Sequence, residues 1–160
     1  MLKGSVEGKK LGPFRITPEA IKSFTKLKRA FTQAPILRHF DPSLPIQVET
    51  DASNFALSGI LSQLYGTGST ARWHPIAFFS RKLTPIECRY ETHDKELMAI
   101  VRSFDHWDYY LRGAQAPIRV RSNHDNLVYF MTKRKLNGRQ SRWAESLARY
   151  DFFIEYQPGK

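Results

Sequence analysis

"PIQVETDAS", residues 45–53, places two sets of side chains in alternation. Ile46, Val48 and Thr50 fall on one side of an extended chain, and Gln47, Glu49 and Asp51 on the other. Ala52 and Ser53 begin a turn, so Asp51 stands at the end of a strand. Strand ends hold a side chain firmly while leaving it accessible, which makes them common places for site residues. An aspartate there also serves as a turn or capping residue. Asp51 by itself leaves both roles open.

The pattern continues on either side. "FALSGILSQLY" (55–65) reads as a second strand, followed by a Gly/Ser/Thr turn at 66–70 and a third strand, "WHPIAFFSRKL" (73–83). Such short connections favour an antiparallel meander. Residues 85–112 predict one long helix, with Leu97, Ile100, Val101, Phe104 and Leu111 on one face and Gly113 ending it. "PIRVRSN" (117–123) is a fourth strand, and the helical crossover before it suits parallel pairing. Residues 125–132 and 139–150 predict helices, and "DFFIEYQ" (151–157) a fifth strand. The expected fold is α/β: a five-stranded mixed sheet in the order βββ–α–β–α–α–β, flanked by helices.

Upstream, residues 1–16 are rich in Gly and Lys and read as a linker or arm. Residues 17–35 predict a helix capped by Thr17, with Pro18 in its first turn and Pro35 as its stop. Ile21, Phe24, Leu27 and Phe31 recur at helical spacing, and such a face is expected to pack on a domain. The expected division is 1–44, a basic arm and helix, and 45–160, the α/β domain.

The 160 residues suit one globular domain, and 41% hydrophobic content with 13% aromatic content suffices for a core. No apolar run approaches the ~20 residues needed to span a bilayer, and no secretory pattern opens the chain. The one cysteine, Cys88, excludes an internal disulfide and a cysteine-rich zinc site. A reducing, intracellular location (cytoplasm or nucleus) and a monomer are expected. Net charge is +10. Residues 1–40 carry nine Lys/Arg against only Glu7 and Glu19, and Lys133, Arg134, Lys135, Arg139 and Arg142 form an acid-free basic stretch. A field of this kind attracts polyanions, nucleic acid first among them, or is simply a solvated basic surface.

Glu96 lies in "HDKELMAIV" (93–101) beside Leu97. The helix dipole accounts well for Glu91 and Asp94 near the start of that helix, and less well for Glu96. His93, His106 and His124 lack the i, i+4 spacing of a helical zinc site.

Three long stretches carry a resemblance: "APILRHFDPSLPIQVETDASNFALSGILSQ" (34–63), "WHPIAFFSRKLTPIECRYETHDKELMAIVRSFDHWDYYLRG" (73–113) and "RWAESLARYDFFIEYQPGK" (142–160). Together they closely resemble the RNase H region of the pol polyprotein of gypsy-type LTR retrotransposons, with filamentous-fungal elements nearest. Residues 17–35 resemble the connection between polymerase and RNase H. The resemblance implies the RNase H fold and an endonuclease that hydrolyses the RNA strand of RNA–DNA hybrids. It also implies two Mg²⁺ ions, with Mn²⁺ as substitute, and a polymerase domain as partner in the parent polyprotein. Hard oxygen ligands hold such ions, and a pair of them activates water and steadies the leaving oxygen. By motif, Asp51 in "ETDAS" and Glu96 in "DKELMAI" match the first two metal-binding carboxylates.

Two departures follow from the same resemblance. The family's third carboxylate ends the fourth strand in a pattern like Thr-Asp-His-x-Asn-Leu. Here Ser122-Asn123-His124-Asp125-Asn126-Leu127 puts the amide of Asn123 at the aspartate position. Asp125 is expected to cap the following helix. The fourth family carboxylate lies beyond the Pro-Gly-Lys motif, so a domain truncated before it, without its C-terminal helix, is expected. A neutral amide binds Mg²⁺ less strongly than a carboxylate. The expectation is an impaired nuclease. The alternative is a non-catalytic nucleic-acid-binding or interaction remnant of a decayed retrotransposon.

Overall fold

The computed structural model describes residues 5–6, 9–10, 17–32, 37–127, 130 and 135–158. The chain divides into two compact units, Met1–Ile36 and Leu37–Lys160. In the first, β1 (Ser5–Val6) pairs antiparallel with β2 (Lys9–Lys10), and α1 covers Pro18–Thr32. Thr17 Oγ1 accepts from the backbone N–H of Ala20 at 3.2 Å, the capping bond expected of it.

The second unit holds a five-stranded sheet of β3 (Ile46–Ala52), β4 (Ala56–Tyr65), β5 (Arg72–Lys82), β6 (Ile118–Ser122) and β7 (Phe152–Tyr156). Its spatial order is β5-β4-β3-β6-β7. β3, β4 and β5 pair antiparallel, while β6 runs parallel to both β3 and β7. Pro75, which has no N–H to give, sits on the edge strand β5 at the irregularity opposite Leu61/Ser62. Residues 37–44 lie against this sheet: Arg38 N–H donates to the Pro75 carbonyl, and Gln63 Nε2 donates to the Asp41 carbonyl.

The crossover between β5 and β6 is α2 (Thr92–His106), followed by α3 (Asp108–Leu111). Leu97, Ile100, Val101 and Phe104 drive its buried face into Val48, Leu61, Ile118, Val120 and Leu147. Full burial of each such side chain contributes roughly 1.5–3 kcal/mol. At Gly59 on β4 the helix packs so tightly that a Cβ would meet Ser103 Oγ at 2.4 Å.

The single helix expected over 85–112 is in fact broken twice. Residues Glu87–Arg89 form a separate 3₁₀ turn, because the Glu87 carboxylate folds back onto the Thr84 N–H and Arg81. At Trp107 the backbone leaves helical geometry (φ −106°, ψ 20°), and the buried Trp107 and Leu111 both reach the core. Residues Asp125–Leu127 form a 3₁₀ turn, and the rest of the helix expected to 132 lies largely outside the described residues. Asp125 is the first residue of this turn. The helix expected over 139–150 is α4 (Gly138–Leu147), capped by Asn137, whose side chain accepts from the N–H groups of Arg139 and Gln140. Among the described residues, no helix is long and apolar enough to cross a membrane.

Candidate active site

Parallel pairing decides what meets at the carboxyl end of the sheet. Glu49 on β3 lies opposite Arg121 on β6. Two residues further along each strand, Asp51 and Asn123 come side by side, and Asn123 Nδ2 donates to Asp51 Oδ1 at 3.2 Å. In open α/β sheets, sites form at just such strand ends. α2 brings Glu96 to the same place from the helical layer, and Asp51 lies near enough for its charge to act on it. Asp51, Glu96 and Asn123 therefore converge, although 72 residues separate the first and last.

Glu96 is only 3% exposed, and its Oε2 is buried with no hydrogen-bond partner among the described residues. Burial, and next the negative charge of Asp51, push its carboxyl up to about 7, while a backbone hydrogen bond from Ala52 pulls the other way. Buried polar atoms are nearly always paired, so an orphaned carboxylate oxygen beside a second carboxylate makes this strand end the candidate site. A cleft of about 220 Å³ opens here, lined by Glu49, Thr50, Asp51, Arg121, Ser122, Asn123, Gln157 and Pro158.

This donor set does not fit the pair of divalent ions that the resemblance implies. Among the described residues, no three His, Cys, Asp or Glu side chains are grouped to hold a metal. The third corner is an amide, and its N–H₂ end, not its oxygen, faces Asp51. A carboxylate can only accept, so that orientation is the favourable one.

Neighbouring residues of α2 hold Glu96 in place, a feature that sequence patterning missed. Asp94 is buried and accepts from Arg139 Nη2 at 2.6 Å and Gln140 Nε2 at 2.8 Å, with His93 Nε2 3.5 Å away. Lys95 is also buried, and its Nζ donates to Asn54 Oδ1 at 3.1 Å. Asp94, Lys95 and Glu96 thus reach α4, the β3–β4 turn and the site in succession. A run of three consecutive charged residues, where helical periodicity expects one buried face, is the signal that could have shown it.

Three residues of the basic stretch, Lys135, Arg139 and Arg142, fall among the described residues. Arg139 is tied to Asp94, with its guanidinium 3.7 Å from the centre of the Tyr90 ring and 5.6 Å from that of Trp143. Lys135 and Arg142 are exposed. Lys133 and Arg134 lie outside the described residues.

Residues 41–150 match the family described as the RNase H-like domain found in reverse transcriptase. The Tf2-3 transposon polyprotein of Schizosaccharomyces pombe is 34% identical over 145 residues, which cover 89% of this chain and 11% of that polyprotein. The chain therefore spans about a tenth of the length of the curated relatives it matches. Among solved structures, the foamy viral protease–reverse transcriptase dRH in complex with double-stranded DNA is similar at a TM-score of 0.66 and 20% identity, over 95% of this chain and 28% of that one. The foamy viral protease–reverse transcriptase in complex with an RNA/DNA hybrid is similar at a TM-score of 0.56 and 20% identity, over 89% and 19%. At that identity the likeness concerns the fold.

Proposed function

We propose, for a chain that belongs to the RNase H-like domains found in reverse transcriptase, that it engages RNA–DNA hybrids within a retrotransposon polyprotein and hydrolyses the RNA strand only feebly. The observation that carries this reading is the convergence of Asp51, Glu96 and Asn123 at one strand end, with the third position an amide bonded to Asp51. Asp51 and Glu96 are two of the oxygen donors that the resemblance implies for a pair of divalent ions, and two carboxylates are too few to hold that pair for efficient phosphodiester hydrolysis. Asn123 interrupts the set, which is why cleavage is impaired and not merely slow to start. Loss of metal-held transition-state stabilisation lowers such rates on the order of 10³-fold or more.

Hybrid engagement needs no intact metal set. Lys135 and Arg142, exposed near the α4 end of the unit, suit phosphate contacts, as do Lys133 and Arg134 by their place in the sequence. Arg139 serves instead to brace α4 against Asp94. The cognate polymerase of the polyprotein is the expected neighbour, and a foamy viral protease–reverse transcriptase bound to an RNA/DNA hybrid is one of the folds this chain resembles.

The test is a labelled RNA–DNA hybrid incubated with the chain in Mg²⁺ or Mn²⁺, beside an Asn123→Asp version. Salt-sensitive binding with cleavage at least about 10³-fold below the Asn123→Asp version is expected. Brisk cleavage by the unchanged chain, abolished by Asp51→Asn, would overturn the impairment. Absence of binding at low salt would overturn hybrid engagement. Within the binding surface, Lys135→Ala and Arg142→Ala should each lower the salt slope by about 1.

A further inference from the structure

We propose that the Asn123 amide acts as a built-in stand-in for a cation, so that this carboxylate centre is held together without divalent metal. The inference rests on the reading of Asp51 and Glu96 as the metal-facing carboxylates, and it goes beyond impaired cleavage to what keeps the centre stable.

Carboxylates crowded at one strand end repel one another, and a site of this type ordinarily relieves the repulsion with bound ions. Here a donor of the protein's own does so. Asn123 Nδ2 points its positive end at Asp51 Oδ1 across 3.2 Å. The reverse orientation would set the amide oxygen against an acceptor-only carboxylate. An aspartate at this position would add a negative charge where the structure now has a hydrogen bond. Glu96 Oε2 is left without a partner in the same centre, so the relief is local to Asp51 and incomplete. Among the described residues, the surroundings add little positive charge. Arg121, the cation lining the cleft, already lies 3.5 Å from Glu49 and 3.9 Å from Glu155. Lys95 points to Asn54.

The consequence is a domain whose stability ignores Mg²⁺ and Mn²⁺, unlike one with a carboxylate at position 123. Thermal unfolding of the unchanged chain should have the same midpoint in EDTA and in millimolar Mn²⁺ at matched ionic strength. Asn123→Asp should unfold several degrees lower in EDTA and recover on adding Mn²⁺, because the added charge needs the ion. It should also bind Mn²⁺ about tenfold or more tightly than the unchanged chain. A midpoint of the unchanged chain that climbs with Mn²⁺ as far as that of Asn123→Asp overturns the proposal, as does an Asn123→Asp protein indifferent to both EDTA and Mn²⁺.

If Asn123→Asp does not fold, the unchanged chain still decides the matter by electron paramagnetic resonance. Undiminished free Mn²⁺ signal at submillimolar ion and protein supports the stand-in, and saturable uptake of the ion overturns it. These readouts involve no hybrid and no cleavage. Loss of hybrid binding would therefore sink the functional reading without touching this one.

Discussion

Glu87 and Glu96 are the same residue type, both buried at 8% and 3% exposure, and they titrate in opposite directions. Glu87 receives a two-pronged grip from Arg81, Nη1 to Oε2 at 3.0 Å and Nη2 to Oε1 at 2.8 Å, and a further N–H from Thr84. The bonds from Arg81 outweigh burial and pull its carboxyl down to about 2. Glu96 has burial and a neighbouring Asp51, and rises to about 7. Asp94, two residues before Glu96 on the same helix, is bonded as fully as Glu87 is, since Arg139 and Gln140 claim both its oxygens. Buried acids in this protein are thus of two kinds. Glu87 and Asp94 are struts, each matched to an arginine and to a further donor. Glu96 is left underpaired at the strand end where Asp51 and Asn123 meet. The difference separates residues that hold the fold from those that form the site.

The largest effect should come from turning a strut into something like Glu96. Arg139→Met removes the cation from Asp94 and leaves a buried carboxylate with Gln140 Nε2 and the more distant His93. Breaking such a pair on one side costs about 3 kcal/mol or more, because the remaining charge stays buried. Chemical denaturation should show that loss. Hybrid affinity at low salt should change little, which also separates Arg139 the strut from Arg139 the phosphate contact. A variant of undiminished stability that binds hybrid poorly would erase the distinction between the two kinds of acid at this position.

The two glutamates give the next contrast, with opposite signs in pH. The folded-state value of Glu87 lies below the ordinary 4.5, so its contribution is present above about 4.5 and is lost as pH falls toward 2. The folded-state value of Glu96 lies above 4.5, so the folded state holds its proton more tightly. That advantage is full below about 4.5 and is lost as pH rises through about 7. Glu87→Gln should cost about 2 kcal/mol at pH 7, a figure reduced because Arg81 is partly exposed. Glu96→Gln should gain stability of similar size at pH 8 and flatten the pH profile between about 4.5 and 7. Unfolding curves for both variants across pH 3–8 check the pair. Parallel profiles would mean that Glu96 is another strut.

Much of the fold is legible before any coordinates, and the reasons differ by element. The helical face of Leu97, Ile100, Val101 and Phe104 works because burial against the core demands one period along the helix, whereas the alternation at 46–50 places the strand although Gln47, on its other side, is buried too. The parallel pairing of β6 follows from the crossover. What escapes is set by single side chains reaching across the chain. Nothing in the spacing of 85–112 shows that Glu87 folds back on Arg81, or that Trp107 turns the helix. Asn123 is the sharpest case. Alone it is an ordinary residue after a strand, and its bond to Asp51 exists only because β3 and β6 lie parallel in the register that sets Glu49 opposite Arg121. Arg139 shows a partner that charge alone does not reveal. Its charge joins it to a basic stretch in the sequence, while its geometry commits it to Asp94.

The smallest effect probes the strut from its far side. Arg139 and Gln140 can reach Asp94 together because Asn137 starts α4 where it does. The Asn137 side chain accepts from both of their N–H groups, and Gln140 Oε1 accepts in return from the Asn137 N–H at 3.3 Å. Asn137→Ala removes that cap, at a typical cost of about 1 kcal/mol. If the cap does no more than start a helix, combining Asn137→Ala with Arg139→Met gives the sum of the separate losses. If it also aims the two donors at Asp94, the combined loss falls short of the sum, because the aim no longer matters once the arginine is gone. A double-mutant cycle read by chemical denaturation should show the shortfall. The same cycle between Asn137→Ala and Glu96→Gln should show additivity, since no bond from α4 reaches Glu96 among the described residues.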